Sequence, residues 1–250
     1  MSEITKLLLL FGVGAISSII NVNAGGGSSI TLPALIFLGL EGAVANGTNR
    51  IGILVQNIFA VSSFRRQKVH EFKESLSMSL FTLPGAVAGA LISVRINDEW
   101  FQRILAIVMI GIVFSILVVR PQKESKPAPD NASRRWLIYP AMLGIGFYGG
   151  FIQIGVGFIL MSALYRLLNI SLVRVNMHKV FIVFIYTLPA LGVFIWTGNV
   201  HWGYGFVLAA GTALGAWWGV RIAVKGGEKA IRYILAVAIL LMAAKLLGVF

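Results

Sequence analysis

The chain has 250 residues, of which 58% are hydrophobic and 12% are charged, with a net charge of +12 and no cysteine. Its long apolar runs exclude an ordinary soluble domain and make a lipid bilayer the expected surroundings. Membrane-spanning backbone must satisfy its polar groups internally, and runs without polar alternation exclude a β-barrel, so an all-α integral membrane protein is predicted. Many Lys and Arg residues fall in short loops, so the charge indicates membrane topology and no nucleic-acid partner is expected.

Ten apolar segments follow one another along the chain. Their approximate bounds are 5–22, 28–40, 49–64, 75–96, 101–119, 137–149, 153–169, 177–197, 202–222 and 231–249. The first, second, sixth and seventh are shorter than the roughly 20 residues that a helical span needs, and they form two pairs that meet at glycines. Each pair is either one bent span or a hairpin of two half-helices. Residues 1–6 enter the first segment without a signal-peptide cleavage site, so we expect them to belong to the fold.

The positions of Lys and Arg distinguish these two arrangements. If each pair were one crossing, the two sides of the membrane would carry 11 and 10 basic residues. If each pair is a hairpin that returns to its own side, with the N-terminus outside, the split is 16 inside and 5 outside. The positive-inside rule favours the second arrangement. Each half then has a broken, re-entrant helical hairpin and three transmembrane helices, and the odd number of crossings makes the halves inverted repeats.

Sequence similarity between the halves supports a duplication. The pattern Gly-x3-Gly-Ala-x3-Val-Arg-Ile begins at Gly85 and reappears at Gly211, 126 residues later. The small-x3-small spacing also allows helices to pack closely in lipid. We predict a first transmembrane repeat over 1–119, a cytoplasmic linker over 120–136 and a second transmembrane repeat over 137–250, in a multi-pass protein of the cell (inner) membrane.

The location of the charges favours an anionic substrate. All nine acidic residues fall in predicted loops or termini, whereas cation carriers commonly place a carboxylate at mid-membrane. A half-helix that begins at a glycine break offers unpaired N–H groups and the positive end of its dipole to an anion. Hairpins that enter from opposite faces would bring both turns to the midplane. The donors would come from Gly25, Gly26, Gly27 and Ser28 in the first hairpin and from the backbone near Gly155 and Gly157 in the second.

Two polar clusters follow the hairpins at matched places. They are Asn46, Thr48, Asn49 and Arg50 in the first half, and Asn176, His178 and Lys179 in the second. A guanidinium or ammonium group with amide and hydroxyl neighbours suits an oxyanion. In the alternative interpretation, Arg50 and Lys179 extend from helix ends to the membrane interface, and His178 has a structural role.

Little other chemistry is visible in the sequence. Gln56, Asn57 and Gln153 stand in apolar surroundings, where they either line a pathway or form hydrogen bonds between helices. There is no nucleotide-binding loop, so transport would be driven by gradients. There is also no metal-ligand cluster or cofactor motif, and no metal or cofactor is predicted.

The first glycine stretch resembles a known family. Ala24-Gly-Gly-Gly-Ser-Ser29, followed by Leu32-Pro33 and Ala45-Asn-Gly-Thr-Asn-Arg50, is similar to the TauE/SafE family of sulfite exporters. The resemblance covers essentially the whole chain. It implies export, or more broadly transport, of sulfite, sulfonates or related organosulfur anions across the cytoplasmic membrane. The second half departs from the pattern, because Gly155-Val-Gly157 has few glycines and Asn176-Met-His-Lys179 is a reduced form of a Thr/Ser-Lys motif.

The main hypothesis is a secondary transporter for a small sulfur-containing anion that works by alternating access and is not an enzyme. Two other classes remain open. An intramembrane hydrolase would use Ser28 as nucleophile and His178 or His201 as base, which requires hydrogen-bond contact between them. A non-transporting membrane partner subunit would bind no ligand at Arg50 or Lys179. The sequence predicts no oligomeric state.

Overall fold

The computed structural model describes residues 2–69, 71–118 and 136–225, and within these ranges the chain is helical and has no strands. The helices are α1 (Glu3–Ala24), α2 (Ser28–Phe37), α3 (Gly42–Arg66), α4 (Phe72–Ser93), α5 (Asp98–Val118), α6 (Ile138–Phe151), α7 (Val156–Leu168), α8 (Leu172–Trp196) and α9 (Trp202–Lys225). The all-α prediction is confirmed for this part of the chain. The last predicted segment, 231–249, and most of the predicted linker lie outside the described residues.

The helices present a surface that suits lipid. Three stretches in the described part are long and apolar enough to cross a membrane: Glu3–Asn23, Phe72–Ser93 and Leu172–Trp196. Large apolar side chains point outward, with Leu8 68% and Phe206 61% exposed. Many polar side chains, together with the charged Arg50 and Lys179, are instead buried among the helices. An apolar exterior around a polar interior is typical of a protein in a bilayer, and the prediction of a multi-pass membrane protein is confirmed.

The first helix is longer than the apolar pattern predicts. α1 has 22 residues, which at 1.5 Å per residue gives about 33 Å, enough to cross a bilayer core. The prediction that both members of the first pair are too short to span is therefore wrong for α1. The helix continues because Asn23 is satisfied inside the protein, where its amide donates to the carbonyls of Ile19 at 2.8 Å and Gly219 at 3.1 Å. α2, α6 and α7 are short as predicted, with 10, 14 and 13 residues.

Both polar clusters lie within long helices. α3 begins at Gly42 and α8 at Leu172, whereas the apolar segments were predicted to begin at 49 and 177. The hydropathy pattern treats polar residues as a break, but a helix satisfies its own backbone and these side chains are buried in the protein interior. The candidate site residues are therefore held on rigid helices.

Each glycine stretch reverses the direction of the chain. Gly25 adopts φ +84°, and Gly27 lies against the Ser17 carbonyl, so α2 runs back along α1. Gly155 adopts φ +70° between α6 and α7, which pack against each other. These positive φ values favour glycine. The two turns also touch, since a Cβ atom added to Gly25 would lie 2.7 Å from the carbonyl carbon of Gly157.

The helices pack in pairs that repeat between the halves. α1 packs against α9 and α6 against α4; α3 packs against α9 and α8 against α4; α3 and α8 contact each other. The correspondence is α1 with α6, α2 with α7, α3 with α8 and α4 with α9. Exchanging corresponding helices turns the α1–α9 contact into α6–α4 and the α3–α9 contact into α8–α4, and it leaves the α3–α8 contact unchanged. This pattern supports the duplication. The opposite orientation of the halves across a membrane and the boundaries of the two repeats stay predictions.

Four glycines of the repeated pattern lie directly against backbone carbonyls of a neighbouring helix. Gly85 and Gly89 of α4 contact Leu143 and Phe147 of α6, and Gly211 and Gly215 of α9 contact Phe11 and Ala15 of α1. Close approach through small residues stabilises helix pairs in lipid. Each half thus supplies the glycine pair for a helix of the other half.

Replacing Gly89 by leucine should separate α4 from α6 and lower the melting temperature of the detergent-solubilised protein. Overpacking of a tight contact typically costs about 1–3 kcal/mol, and the obstacle here is backbone, which has no alternative rotamer. Gly111→Leu is the matched control, because a Cβ atom at Gly111 on α5 would meet nothing within 4 Å. Equal melting temperatures for the two variants would contradict this account of the contact.

Candidate functional site

A small cavity lies where the two glycine turns meet. Residues of both halves form its wall: Asn21, Ser28, Ile53, Asn57, Gln153, Val156, Gly157, Lys179 and Val183. These residues include one ammonium group and no carboxylate. The volume open to a water-sized sphere is about 10 Å³, room for about one water molecule. An oxyanion such as sulfite would therefore require the walls to move apart.

Arg50 is fully buried and bonds to the hairpin of the other half. Its Nη1 donates to Gln153 Oε1 at 2.9 Å, and its Nη2 donates to the carbonyls of Gly149, at 3.1 Å, and Gly150. The guanidinium also lies 4.8 Å from the centre of the Phe194 ring. Gly149 and Gly150 belong to the last turn of α6, so Arg50 caps the negative end of that helix dipole. Among the described residues these partners are all neutral, so no carboxylate balances the charge of Arg50 there.

Lys179, in the second half of the chain, likewise bonds to the hairpin of the first half. Its side chain is buried, and Nζ donates to the carbonyls of Asn21 at 3.0 Å and Val22 at 3.2 Å. These carbonyls belong to the last turns of α1. A third bond goes to Asn176 Oδ1 at 2.7 Å, which fixes the ammonium group on α8. Lys179 therefore caps α1 as Arg50 caps α6.

The two cations have equivalent places in the two halves. Each stands on a long helix of one half and stabilises the C-terminal carbonyls of the first hairpin helix of the other half. Carbonyls at the end of a helix lack the usual partners within it, although the Asn21 carbonyl also accepts the Gly25 N–H. A cation there contributes about 0.3–1 kcal/mol, or up to about 2 kcal/mol when partly buried. The alternative that Arg50 and Lys179 extend to the membrane interface is wrong, because the two residues are 0% and 2% exposed.

The first glycine turn is already bonded within the protein. The Gly25 N–H donates to the Asn21 carbonyl at 2.9 Å, and the Gly27 N–H donates to Asn21 Oδ1 at 3.3 Å. Ser28 Oγ donates to the Gln153 carbonyl at 3.2 Å and so ties the first hairpin to the second. Two of the predicted backbone donors are engaged in this arrangement, and a rearranged turn would be needed to offer them to an anion.

The other predicted glycines lie close to the cavity. The carbonyl of Gly26 accepts the Ser29 N–H at 3.1 Å at the start of α2. Gly155 is the N-cap of α7, and a Cβ atom there would collide with the Ile112 side chain. Gly157 lies in the first turn of α7 and forms part of the cavity wall.

The residues of the polar cluster on α3 contact different parts of the protein. Asn46 donates to Ser93 Oγ at 2.9 Å and to the Phe151 carbonyl at 2.7 Å. Thr48 Oγ1 accepts the His201 N–H at 2.8 Å, which places it beside the start of α9. Asn49 is 1% exposed, and neither atom of its amide group has a hydrogen-bond partner among the described residues. None of these three residues is part of the cavity wall, and their contact with an anion stays a prediction.

His178 points away from the cavity, although the neighbouring Lys179 lines it. The His178 ring lies with Nδ1 2.8 Å from Ser75 Oγ and Nε2 3.3 Å from Glu71 Oε2. Possible ligand atoms of Glu71, Glu74 and His178 all lie within 4.8 Å of one another. The fold thus brings together three possible ligands that the sequence alone did not connect, and the absence of a bound metal stays a prediction. The sequence hid the cluster because the histidine is more than a hundred residues from the two carboxylates.

Two residues at the centre of the site were not among the predicted binding residues. Gln153 has φ +59°, and its amide accepts from Arg50 while Nε2 donates to Thr187 Oγ1 at 3.4 Å. Asn21 bonds to Gly27 and, through its carbonyl, to Lys179. The isolated polar residue in the second glycine stretch was a usable signal for Gln153. Asn21, at the end of an apolar run, gave a weaker one.

The arrangement around Ser28 does not resemble a hydrolytic site. Its hydroxyl bonds to a backbone carbonyl, whereas His178 bonds to Ser75, and His201 Nδ1 accepts the Tyr204 N–H at 3.2 Å. Within the described ranges no hydrogen bond links Ser28 to a histidine. A serine nucleophile requires such a base within hydrogen-bond reach.

Comparison with known proteins agrees with the architecture. The model of the sulfite exporter TauE/SafE family matches residues 10–246. A Haemophilus influenzae protein named probable membrane transporter protein is 29% identical over 245 residues, covering 97% of this chain and 95% of its own length. The Escherichia coli K12 protein named probable membrane transporter protein YfcA is 30% identical over 249 residues, covering 98% of this chain and 91% of its own length. A Bacillus subtilis protein, probable membrane transporter protein YunE, is 25% identical over 280 residues and is matched along both full lengths.

Proposed function

Because the chain belongs to the sulfite exporter TauE/SafE family of membrane transporters, we propose that it carries sulfite, or a related sulfonate or organosulfur anion, out across the cytoplasmic membrane. The observation that carries this proposal is the cavity between the glycine turns, whose wall holds the Lys179 ammonium group and no carboxylate. Charge-assisted hydrogen bonds from such a group are the contacts that oxyanions make in proteins.

The remaining polar groups of the wall suit the orientation of an oxyanion. Ser28 offers a hydroxyl group, and Asn57 and Gln153 offer amides from opposite halves of the chain. Arg50 stands behind Gln153 and bonds to its side chain, so its charge is one residue away from the cavity. In this proposal Lys179 and Arg50 supply the positive charge, and the glycine turns let backbone approach the ligand closely.

Transport in this proposal works by alternating access of the two halves. The cavity in this structure admits about one water molecule and would have to widen toward one side at a time. Two hairpins that meet at their turns support this mechanism, because either one could move while the other remains in place. Energy would come from gradients, because the sequence has no nucleotide-binding loop.

A hydrolase is less well supported than a transporter. The relatives named above are all called membrane transporters, and the two candidate histidines bond elsewhere. We expect no covalent labelling of Ser28 by a serine-reactive fluorophosphonate probe. Labelling of the wild type that is lost in Ser28→Ala would favour the hydrolase.

Anion uptake into proteoliposomes tests the proposed function. We expect the purified protein to carry sulfite or sulfoacetate faster than chloride or sulfate, and faster than protein-free liposomes. The measurement is the initial uptake rate of each anion at equal concentration and membrane potential. Equal rates for all four anions, or rates no higher than those of empty liposomes, would overturn the proposed substrate class.

A further inference from the structure

The contacts of Arg50 and Lys179 hold the two hairpins in place. Lys179 on α8 bonds to the carbonyls of Asn21 and Val22, where the first hairpin turns. Arg50 on α3 bonds to Gly149 and Gly150, where the second hairpin turns. In both cases the bond crosses from one half of the chain to the other. The same side chains that supply positive charge therefore also fix the closed position of the hairpins.

An anion in the cavity would compete for these donors. Lys179 is part of the cavity wall, so an oxyanion there would lie within reach of Nζ. Attraction between opposite charges adds to a hydrogen bond from an ammonium group to a charged oxygen, so a neutral carbonyl is the weaker acceptor. Gln153 also lines the cavity and holds Nη1 of Arg50, so an anion that displaces the Gln153 amide would reach the guanidinium as well.

Loss of the cation would loosen the hairpin that it caps. Without Lys179, the Val22 carbonyl loses its buried donor and the Asn21 carbonyl keeps the Gly25 N–H alone, so the end of α1 is less well satisfied. The adjoining turn is held by the N–H bonds of Gly25 and Gly27 to Asn21, so it would loosen together with the helix end. The same reasoning applies to Arg50 and the end of α6.

We propose that Lys179 and Arg50 are anion-released latches: each caps the hairpin of the opposite half in the closed state, and the substrate anion frees that hairpin by taking over the N–H donors. This inference rests on the proposed function, because it concerns the same site. The latches link anion binding to hairpin movement, since the hairpins stay in the closed position only while Lys179 and Arg50 donate to the protein's own carbonyls.

Hydrogen exchange measured by mass spectrometry tests the latch separately from transport. In the wild type, saturating sulfite should speed amide exchange in segments 19–31 and 146–158, and chloride should not. Lys179→Gln should speed exchange in 19–31 about tenfold or more without any anion, because a hydrogen bond to a charged group is lost. Arg50→Gln should do the same in 146–158. Each variant should leave the other segment close to the wild type.

Control variants separate the latch from general destabilisation. Lys179→Arg keeps the charge and N–H donors and should retain most of the protection from exchange in 19–31. This variant also keeps the test possible if Lys179→Gln does not fold. Arg103→Gln removes an exposed cation bonded to Glu99 and should change neither segment.

The outcomes distinguish the latch from the transport proposal. Wild-type exchange in 19–31 by Lys179→Gln would overturn the latch, whatever the substrate. Proteoliposomes that carry sulfite while sulfite leaves both segments unchanged would overturn the release of the latch by the anion. If sulfite is neither carried nor alters exchange, the proposed substrate and its release of the latch both fail, and the variants still decide whether the cations hold the hairpins.

Discussion

Replacing Arg50 by glutamine should reduce sulfite uptake into proteoliposomes by about 100-fold or more. Arg50 makes three hydrogen bonds to neutral acceptors, and a hydrogen bond to a charged group typically contributes about 1.5–3 kcal/mol. A transport barrier raised by about 3 kcal/mol, the low estimate for two such bonds, slows uptake by at least a factor of 100. Glutamine is too short to reach Gly149, Gly150 and Gln153 together, so the end of α6 loses its cap. The measurement is the initial rate of uptake, with the melting temperature of the same preparation as a check on folding.

Two control variants test whether the loss of uptake depends on the geometry and on the position of the Arg50 charge. Arg50→Lys keeps the charge but lacks the planar fork that bonds to Gln153 and the carbonyls at once, so we expect an intermediate rate. Arg103→Gln removes a cation whose side chain is 58% exposed and should leave uptake unchanged. If Arg50→Gln transported at the wild-type rate with a normal melting temperature, Arg50 would have no part in the site.

The fold was largely predictable because its main features depend on local physics. Apolar runs must form helices in a bilayer, and the glycine stretches supply the turns that reverse the chain. Gly25 and Gly155 both take positive φ values that other residues adopt only with strain, so their position in the sequence marks the hairpins. The glycine pairs that begin at Gly85 and Gly211 likewise mark the closest helix contacts.

The contacts of the site were less predictable because they join distant residues. Arg50 is 99 and 100 residues from the two carbonyls that it caps. A sequence shows that a cation follows a hairpin, and an anion site is the simplest interpretation of that position. It does not show that the cation bonds to the hairpin of the other half. The ends of α1 and α3 were misjudged for a related reason, since hydropathy does not register that Asn23 and Asn46 find buried partners.

Whether Arg50 and Lys179 only attract an anion or also cap helix ends decides how unfavourable their burial in the membrane interior is. A cation that only attracts an anion would be unpaired in the closed state, which is unfavourable in a low-dielectric interior. A cation that caps a helix end is satisfied in both states, by carbonyls when the site is closed and by the substrate when it is occupied. The cost of burying Arg50 and Lys179 is thereby reduced, and their release depends on the anion.

Replacing Gly25 by alanine should strongly impair both stability and transport, because two independent penalties coincide at this position. The residue has φ +84°, and the new Cβ atom would lie 2.7 Å from the backbone of Gly157. Holding a non-glycine residue in left-handed conformation costs on the order of 1–3 kcal/mol, and forcing a methyl group into a packed contact costs about as much again. The hairpin turns would be pushed apart at the cavity. We expect a lower melting temperature and at least a tenfold loss of sulfite uptake.

Gly198→Ala separates the two penalties, because Gly198 has a similar φ of +74° but nothing within 4 Å of an added Cβ atom. It should show only the conformational cost, with a modest fall in melting temperature and nearly normal uptake. Since both variants introduce the same methyl group at a left-handed residue, the difference between them measures the contact of the two turns. If Gly25→Ala and Gly198→Ala lost stability and uptake equally, the contact between Gly25 and Gly157 would contribute nothing, and the site between the hairpins would lose its main structural support.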